Sequence, residues 1–342
     1  MIEPYPWHRA AQERFLERRD NIPHAVLVTG QEGIGKAQLA RSIAAAVLCE
    51  SPHGAFACGA CASCHWFGQG NHPDFREIIP EAAEEEAEAE PAAEPQKSEK
   101  AKSVVIKIEQ IRAIADFVSL STHRAGHRVL LLHPAESMQP AAANALLKTL
   151  EEPPPGTLIV LVSGQPARVL ATIRSRCRLL PLKAPAAEAA FAWLAEQAVP
   201  DPRTVLAAAG GAPLLALELA QPEEAQLRER VLQELARPSG ADPLSFASAI
   251  DRPKVGRFLY WMQTWVQDLV RVKLAGEARH HRAHAKALAA RARAADLDSL
   301  FALDRELAGA QALADHPLNP RLLAEHLLMA YNRATLAASG KP

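Results

Sequence analysis

Four cysteines, Cys49, Cys58, Cys61 and Cys64, follow the spacing C-x8-C-x2-C-x2-C. Two-residue spacers let consecutive thiolates turn toward one centre, and a fourth from the end of the preceding helix completes a tetrahedron. The pattern predicts a structural zinc site. Four thiolates leave no open coordination position, so the metal would staple a loop rather than activate water. An iron–sulfur cluster also uses C-x2-C-x2-C runs and is the competing reading. His65 is a weaker substitute ligand, because it adjoins Cys64 directly.

The second stretch with chemistry in it is Gly30-Gln31-Glu32-Gly33-Ile34-Gly35-Lys36-Ala37. It matches a phosphate-binding loop in every position but the last. Glycines let backbone N–H groups turn around phosphate oxygens, the following helix N-terminus adds partial positive charge, and Lys36 would reach the terminal phosphates. The residue after the lysine should carry a hydroxyl for magnesium; Ala37 has none. A second ligand is also missing. The apolar run Val129-Leu130-Leu131-Leu132 should end in a carboxylate, yet His133 and Pro134 follow, and neither suits a hard, oxygen-seeking ion. Glu136 lies further on, past the site if the strand stops at Leu132. The expectation is a chain that does not hydrolyse ATP alone. Binding of ATP or ADP through Gly30, Gly33, Gly35 and Lys36 stays open.

The elements that position these groups follow from hydropathy patterning. Ala25 to Val28, Val129 to Leu132 and Leu158 to Val162 read as buried parallel strands, with helices at Gln38 to Leu48, Ile108 to Leu120 and Ala141 to Glu151. That alternation is a wound α/β core. Residues 80–102, rich in Glu and Ala and then Pro and Lys, cannot bury a core and read as a solvated insertion. Beyond Cys177 the strands are expected to stop. Ala184 to Ala220 reads as a small helical group broken at Gly210-Gly211-Ala212-Pro213, and Glu223 to Ala338 as a longer helical run. Phe258, Trp261, Met262, Trp265, Leu269 and Val272 share one helical face, best explained by core packing or a subunit interface. The cluster Arg279-His280-His281-Arg282 with His284 is read as a solvated helix surface rather than a metal or phosphate site.

At 342 residues the chain is long enough for two or three domains. Its net charge of −1 gives no global field to steer nucleic acid. No apolar run is long enough to span a bilayer, and Met1-Ile2-Glu3-Pro4-Tyr5-Pro6-Trp7 lacks signal-peptide character, so a cytoplasmic location is expected. In that reducing compartment the five cysteines are metal ligands or buried thiols rather than disulfides.

Several features coincide. The degenerate loop, the four-cysteine module after its helix, the run Ala143-Asn144-Ala145-Leu146-Leu147-Lys148-Thr149-Leu150-Glu151-Glu152-Pro153-Pro154, and Thr172-Ile173-Arg174-Ser175-Arg176-Cys177 together resemble the bacterial clamp-loader subunits of the AAA+ class. Tyr5-Pro6-Trp7 and the loss of both magnesium ligands add to the likeness, which is dense from Tyr5 to Arg178 and weaker from Ala184 onward. The resemblance implies an AAA+ P-loop core over residues 1–182, with a zinc module at 49–64 and the acidic insertion at 80–102. A helical lid at 183–221 and an all-α collar at 222–342 would follow.

It also implies a mechanism. In such assemblies each ATP lies between neighbouring subunits, and the Ser-Arg-Cys arginine of one reaches the γ-phosphate on the next. That role falls on Arg176, with Arg174 as a backup or structural partner and Ser175 and Cys177 shaping the turn. A lid arginine that senses nucleotide in the family has no counterpart in Gly211-Ala212-Pro213-Leu214. Implied partners are the motor subunits (tau/gamma), a delta subunit, the sliding clamp and, through the assembly, primer–template DNA. Two rivals remain: an active AAA+ ATPase motor subunit, and a zinc-dependent nucleic-acid-binding module.

Overall fold

The three continuous apolar runs form the middle of a five-stranded parallel sheet in the computed structural model, which describes residues 2–81, 105–119, 126–312 and 319–336. These are β1 (Ala25–Thr29), β3 (Arg128–Leu132) and β4 (Thr157–Ser163), buried along almost their whole length. Strands covered on both faces read as unbroken hydrophobic runs, which is why the pattern found them. Two further strands were not anticipated. β2 (Phe75–Ile78) and β5 (Arg178–Pro181) are the sheet edges in the order β2-β3-β4-β1-β5. The expectation that strands stop at Cys177 is therefore corrected. β5 starts one residue later, disguised because an edge strand tolerates charge and a proline that a central one would not. β4 separates β1 from β3, the strand arrangement of an AAA+ P-loop core.

Helices cover this sheet. α1 (Arg9–Leu16) precedes β1, α2 (Lys36–Leu48) follows the glycine loop, and α3 (Ala62–Gly68) carries the last cysteine. α4 (Ile108–Ser119) and α5 (Pro140–Glu151) pack on the sheet through Ile111, Ile114, Val118, Leu146 and Leu150. Pro140 opens α5 at the first helical position, where its missing N–H costs nothing. A single turn, α6 (Ala171–Arg174), precedes β5. Leu120, expected to close α4, and residues 82–104, which hold most of the expected acidic insertion, lie outside the described residues.

The chain divides into two compact units, Met1–Pro185 and Ala186–Pro342. Among its described residues the second is helical throughout: α7 (Ala187–Glu196), α8 (Pro202–Ala208), α9 (Pro213–Leu219), α10 (Pro222–Ala236), α11 (Pro243–Ala247), α12 (Val255–Ala275), α13 (Ala285–Ala294), α14 (Leu297–Ala312) and α15 (Pro320–Thr335). The Gly210–Pro213 break separates α8 from α9. Phe258, Trp261, Met262, Trp265 and Leu269 are at most 1% exposed, so the aromatic face of α12 is core. Trp265 Nε1 donates to Tyr331 Oη at 3.0 Å, and Tyr331 Oη donates to the Leu235 carbonyl at 2.7 Å.

The histidine cluster is only in part the solvated helix surface expected: Arg279 and Arg282 are exposed and Arg282–His284 form a 3-10 turn, but His281 is buried. Its first three residues lie in the irregular segment after α12, where the fully buried Asp268 carboxylate accepts the backbone N–H groups of Arg279, His280 and His281. His281 is buried between Trp261 and Trp265. Among the described residues no helix is long and apolar enough to cross a membrane.

Candidate functional site

The glycine loop sits at the carboxyl end of β1, where open α/β sheets place their ligand crevice. Gly35 caps α2 at φ +92°, and a Cβ there would lie 2.3 Å from Tyr5 Cδ2. Only glycine fits both the left-handed backbone and the ring pressed against it. Tyr5 stacks on Trp7 at 5.0 Å between centroids. Trp7 Nε1 and His8 Nε2 both donate to the Ile34 carbonyl, at 2.9 and 2.7 Å. The N-terminal segment is thus bound to the loop.

Lys36 is turned inward. Its ammonium donates to the Gln31 carbonyl at 2.8 Å, and the residue is 6% exposed. Burial lowers its pKa, while the carboxylates of Glu32 and Glu136 oppose that shift. Glu136 is not past the site, contrary to expectation. A 3-10 turn at Ala135–Ser137 folds it back, and its Oε1 accepts from Gly164 N at 2.8 Å and Gln165 N at 3.1 Å at the end of β4. His133, at the magnesium-carboxylate position, is held neutral by burial and then by the charges of Lys36 and Arg41. Arg41 itself is paired with Glu77, down to 2.7 Å. Lys36 is the loop's one cation, and the charges that act on it are those of Glu32 and Glu136.

The four cysteines come together as the spacing predicts. Cys49 directly follows α2, Cys61 caps α3 and Cys64 lies within it. All four Sγ atoms lie within 4.8 Å of one another, with pairs at 3.6, 3.9 and 3.9 Å. Tetrahedral zinc with Zn–S near 2.3 Å would set these separations at about 3.8 Å, so the cluster fits that metal. Backbone N–H groups also point at sulfur. Cys58 N donates to Cys49 Sγ at 3.2 Å, Ala60 N and Cys61 N to Cys58 Sγ at 3.4 Å, and Cys64 N to Cys61 Sγ at 3.4 Å. The amides pull Cys58 down to about 6, whereas burial raises Cys49 and Cys64. Cys49 and Cys64 thus favour the neutral thiol, and a cation among the four sulfurs is what would ionise them.

Behind the cluster a polar chain ties it to the sheet. Asp74 N donates to His72 Nδ1 at 3.0 Å, which places the imidazole proton on Nε2, facing Ser63 Oγ at 2.7 Å. Ser63 Oγ donates onward to the Leu48 carbonyl at 2.6 Å.

Arg176 stands apart from both. Its side chain is 36% exposed, with Nη1 on the Thr172 carbonyl at 3.0 Å and Nη2 on Glu151 Oε1 at 2.6 Å. Ile173 anchors the turn with no exposed surface, Cys177 packs against the core, and Arg174 Nη1 donates to the Pro166 carbonyl at 2.9 Å. Because β5 runs parallel to β1 with Arg178 level with Val26, Arg176 lies at the amino ends of the strands. Gly30, just past the end of β1, is four residues beyond Val26, about 13 Å at the rise of an extended chain. The arginine and the glycine loop therefore occupy opposite ends of the sheet.

Comparison with known proteins agrees with this architecture. The family profile described as "DNA polymerase III, delta subunit" matches residues 12–186, and that described as "DNA polymerase III, delta subunit, C terminal" matches residues 222–332. The chain is 36% identical to the DNA polymerase III subunit delta' of Pseudomonas aeruginosa, over 80% of its own length and 79% of that protein's. It is 32% identical to the Escherichia coli subunit delta', covering 81% and 77%. The tau subunit from Salmonella typhimurium is 33% identical over 48% of this chain and 22% of that protein. With its P-loop core, its four-cysteine module and its helical second unit, the chain belongs to the family of DNA polymerase III delta-prime subunits, components of the bacterial clamp loader.

Proposed function

We propose that this chain is a non-hydrolysing subunit of the DNA polymerase III clamp loader, anchoring the loader pentamer and donating Arg176 to the ATP site of a neighbouring motor subunit. The placement of Arg176 carries this reading: it is exposed, on a turn anchored by the buried Ile173, at the end of the sheet away from the chain's own phosphate loop. A guanidinium brought against a transferring phosphoryl group offsets developing charge, an effect worth about 10³–10⁵ in rate. The chain's own loop is poorly suited to catalysis. Ala37 and His133 offer no magnesium ligand, and Lys36 is satisfied by Gln31. ATP or ADP is therefore not required for its work.

Cys49, Cys58, Cys61 and Cys64 would hold a structural zinc, whose bonds to sulfur close the loop between α2 and α3. We divide the chain at residues 182/183 and 221/222 into core, lid and collar, the collar joining the tau/gamma motor and delta subunits. The sliding clamp and primer–template DNA meet it through the assembly. The deciding experiment is the DNA- and clamp-stimulated ATPase of the reconstituted loader with Arg176→Ala. A large fall with the complex intact is expected; an unchanged rate refutes the finger.

One observation favours a second reading, an active motor subunit: a carboxylate following β3, Glu136, acts electrostatically on Lys36. Against it, Glu136 Oε1 is already committed to two backbone N–H groups. Magnesium-dependent ATP turnover by the isolated chain, abolished by Lys36→Ala and Glu136→Gln, would establish this reading and displace the first.

A further inference from the structure

The partner of Arg176 is Glu151, the last residue of α5. A carboxylate at a helix C-terminus faces the negative end of the helix dipole, an unfavourable place for it unless a cation lies opposite. Glu152, Pro153 and Pro154 follow, so the backbone turns away there and the Glu151 side chain has no further helical turn beyond it. The helix beneath is firmly seated: Ala142, Ala143, Leu146 and Leu150 are buried in the core against β3 and β4.

Four arginines crowd the segment opposite, Arg168, Arg174, Arg176 and Arg178. Arg168 donates to Gln165 Oε1 and Arg174 to the Pro166 carbonyl, both within the connection from β4 to β5. Among the described residues only Arg176 of the four is ion-paired, and its partner comes from another element, 25 positions back in the chain. Its contacts are divided across the guanidinium. Nη2 meets Glu151 Oε1 at 2.6 Å, while Nη1 meets the Thr172 carbonyl at 3.0 Å and Ser175 Oγ at 3.4 Å. A planar fork held at two points keeps one orientation, whereas an unrestrained arginine samples many rotamers.

From this geometry we infer that Glu151 is a positioning residue, which holds the Arg176 guanidinium on the surface in the orientation a neighbour's ATP requires. The inference rests on the trans role of Arg176 given above. It differs from ordinary surface pairing in what it predicts. Both side chains are well exposed, at 36% and 50%, so the pair adds little stability and its loss leaves the fold intact. What is lost is pre-organisation of the arginine, a rate effect.

The test uses the full chain in the reconstituted loader, with Glu151→Gln, Glu151→Asp, Arg176→Ala and the Glu151→Gln/Arg176→Ala double variant. Readouts are kcat and KM for ATP with DNA and clamp present, the melting temperature of the free chain, and assembly by gel filtration. Glu151→Gln should lower kcat about 3- to 10-fold, a fraction of the ~10²-fold that a 1 Å misplacement costs. KM, melting temperature and assembly should stay unchanged. Glu151→Asp should recover part of the rate, and the double variant should match Arg176→Ala alone.

A wild-type or faster rate in Glu151→Gln, with Arg176→Ala impaired, overturns the positioning role and leaves the finger standing. So do losses that multiply in the double variant, because Glu151 would then act on something other than Arg176. A normal rate in Arg176→Ala itself overturns the proposed function, and this inference with it.

Discussion

Acid should destabilise the helical unit through His281. The ring is 1% exposed, its Nε2 lies 3.0 Å from Thr264 Oγ1, and its Nδ1 has no hydrogen-bond partner among the described residues. Thr264 Oγ1 lies 2.9 Å from the Tyr260 carbonyl, to which it donates, so Nε2 carries the imidazole proton and Nδ1 is bare. Protonating Nδ1 would create a buried cation facing Arg228, His280 and His284. Burial first, and then those charges, push His281 down to about 2.

The unfolded chain takes up the same proton near pH 6.5. Above that value both states are neutral and this group adds no pH dependence. Below it the unfolded state holds more protons, so stability falls as pH drops from about 6.5 toward the folded value near 2. At pH 5 the loss from this group is RT ln(1 + 10^1.5), about 2 kcal/mol. His280 is lowered by burial as well and adds to the loss with the same sign.

The assay is urea unfolding at pH 7.5 and pH 5, followed by tryptophan fluorescence and circular dichroism, on wild type and His281→Gln. Glutamine keeps an N–H for Thr264 and does not titrate. The drop in stability between the two pH values should be smaller in the variant by about 2 kcal/mol. An equal drop in both proteins would refute the reasoning, since it would mean that His281 accepts its proton in the folded chain.

Protein purified without chelator should contain about one zinc per chain, released by a strong chelator only under denaturing conditions; metal analysis showing none, or a brown iron–sulfur chromophore, would end the zinc assignment. Gly35→Ala places a methyl into the Tyr5 ring at a backbone angle of +92° and should cost about 1–3 kcal/mol, read as a lower melting temperature; a neutral result would mean the Tyr5 ring is not seated there. Asp268→Asn removes the carboxylate that receives three consecutive backbone N–H groups, and should destabilise the chain by about 2–3 kcal/mol. Unchanged urea unfolding would show that this carboxylate does not organise the turn.

How much of this was legible in the sequence depended on whether a feature is local. The cysteine cluster was, because its ligands fall within sixteen residues and short spacers constrain their geometry. The central strands were, since full burial writes itself as an apolar run. β2 and β5 were not: Phe-Arg-Glu-Ile and Arg-Leu-Leu-Pro carry the polar residues that edge strands permit. Glu136 was misplaced because its approach to Lys36 depends on a 3-10 turn and on amides 28 and 29 residues further along. The histidine cluster was misread in part, for a related reason. Polar residues near a helix end look solvated until a buried carboxylate from the preceding helix is known to gather them. The Glu151–Arg176 pair joins two segments that hydropathy patterning treats separately.

Helix α2 begins with Lys36, ends one residue before Cys49, and is buried along nearly all of its length. Thirteen residues at 1.5 Å each make a rod of about 20 Å, with the glycine loop at one tip and the thiol cluster at the other. A rod with so little exposed surface does not fray from one end alone, so both tips should open together in hydrogen exchange, as one cooperative unit. Stripping metal from the cysteines would then raise amide exchange in the glycine loop. The glycine loop thereby has a second role, as the far end of a strut that runs to the cysteine cluster.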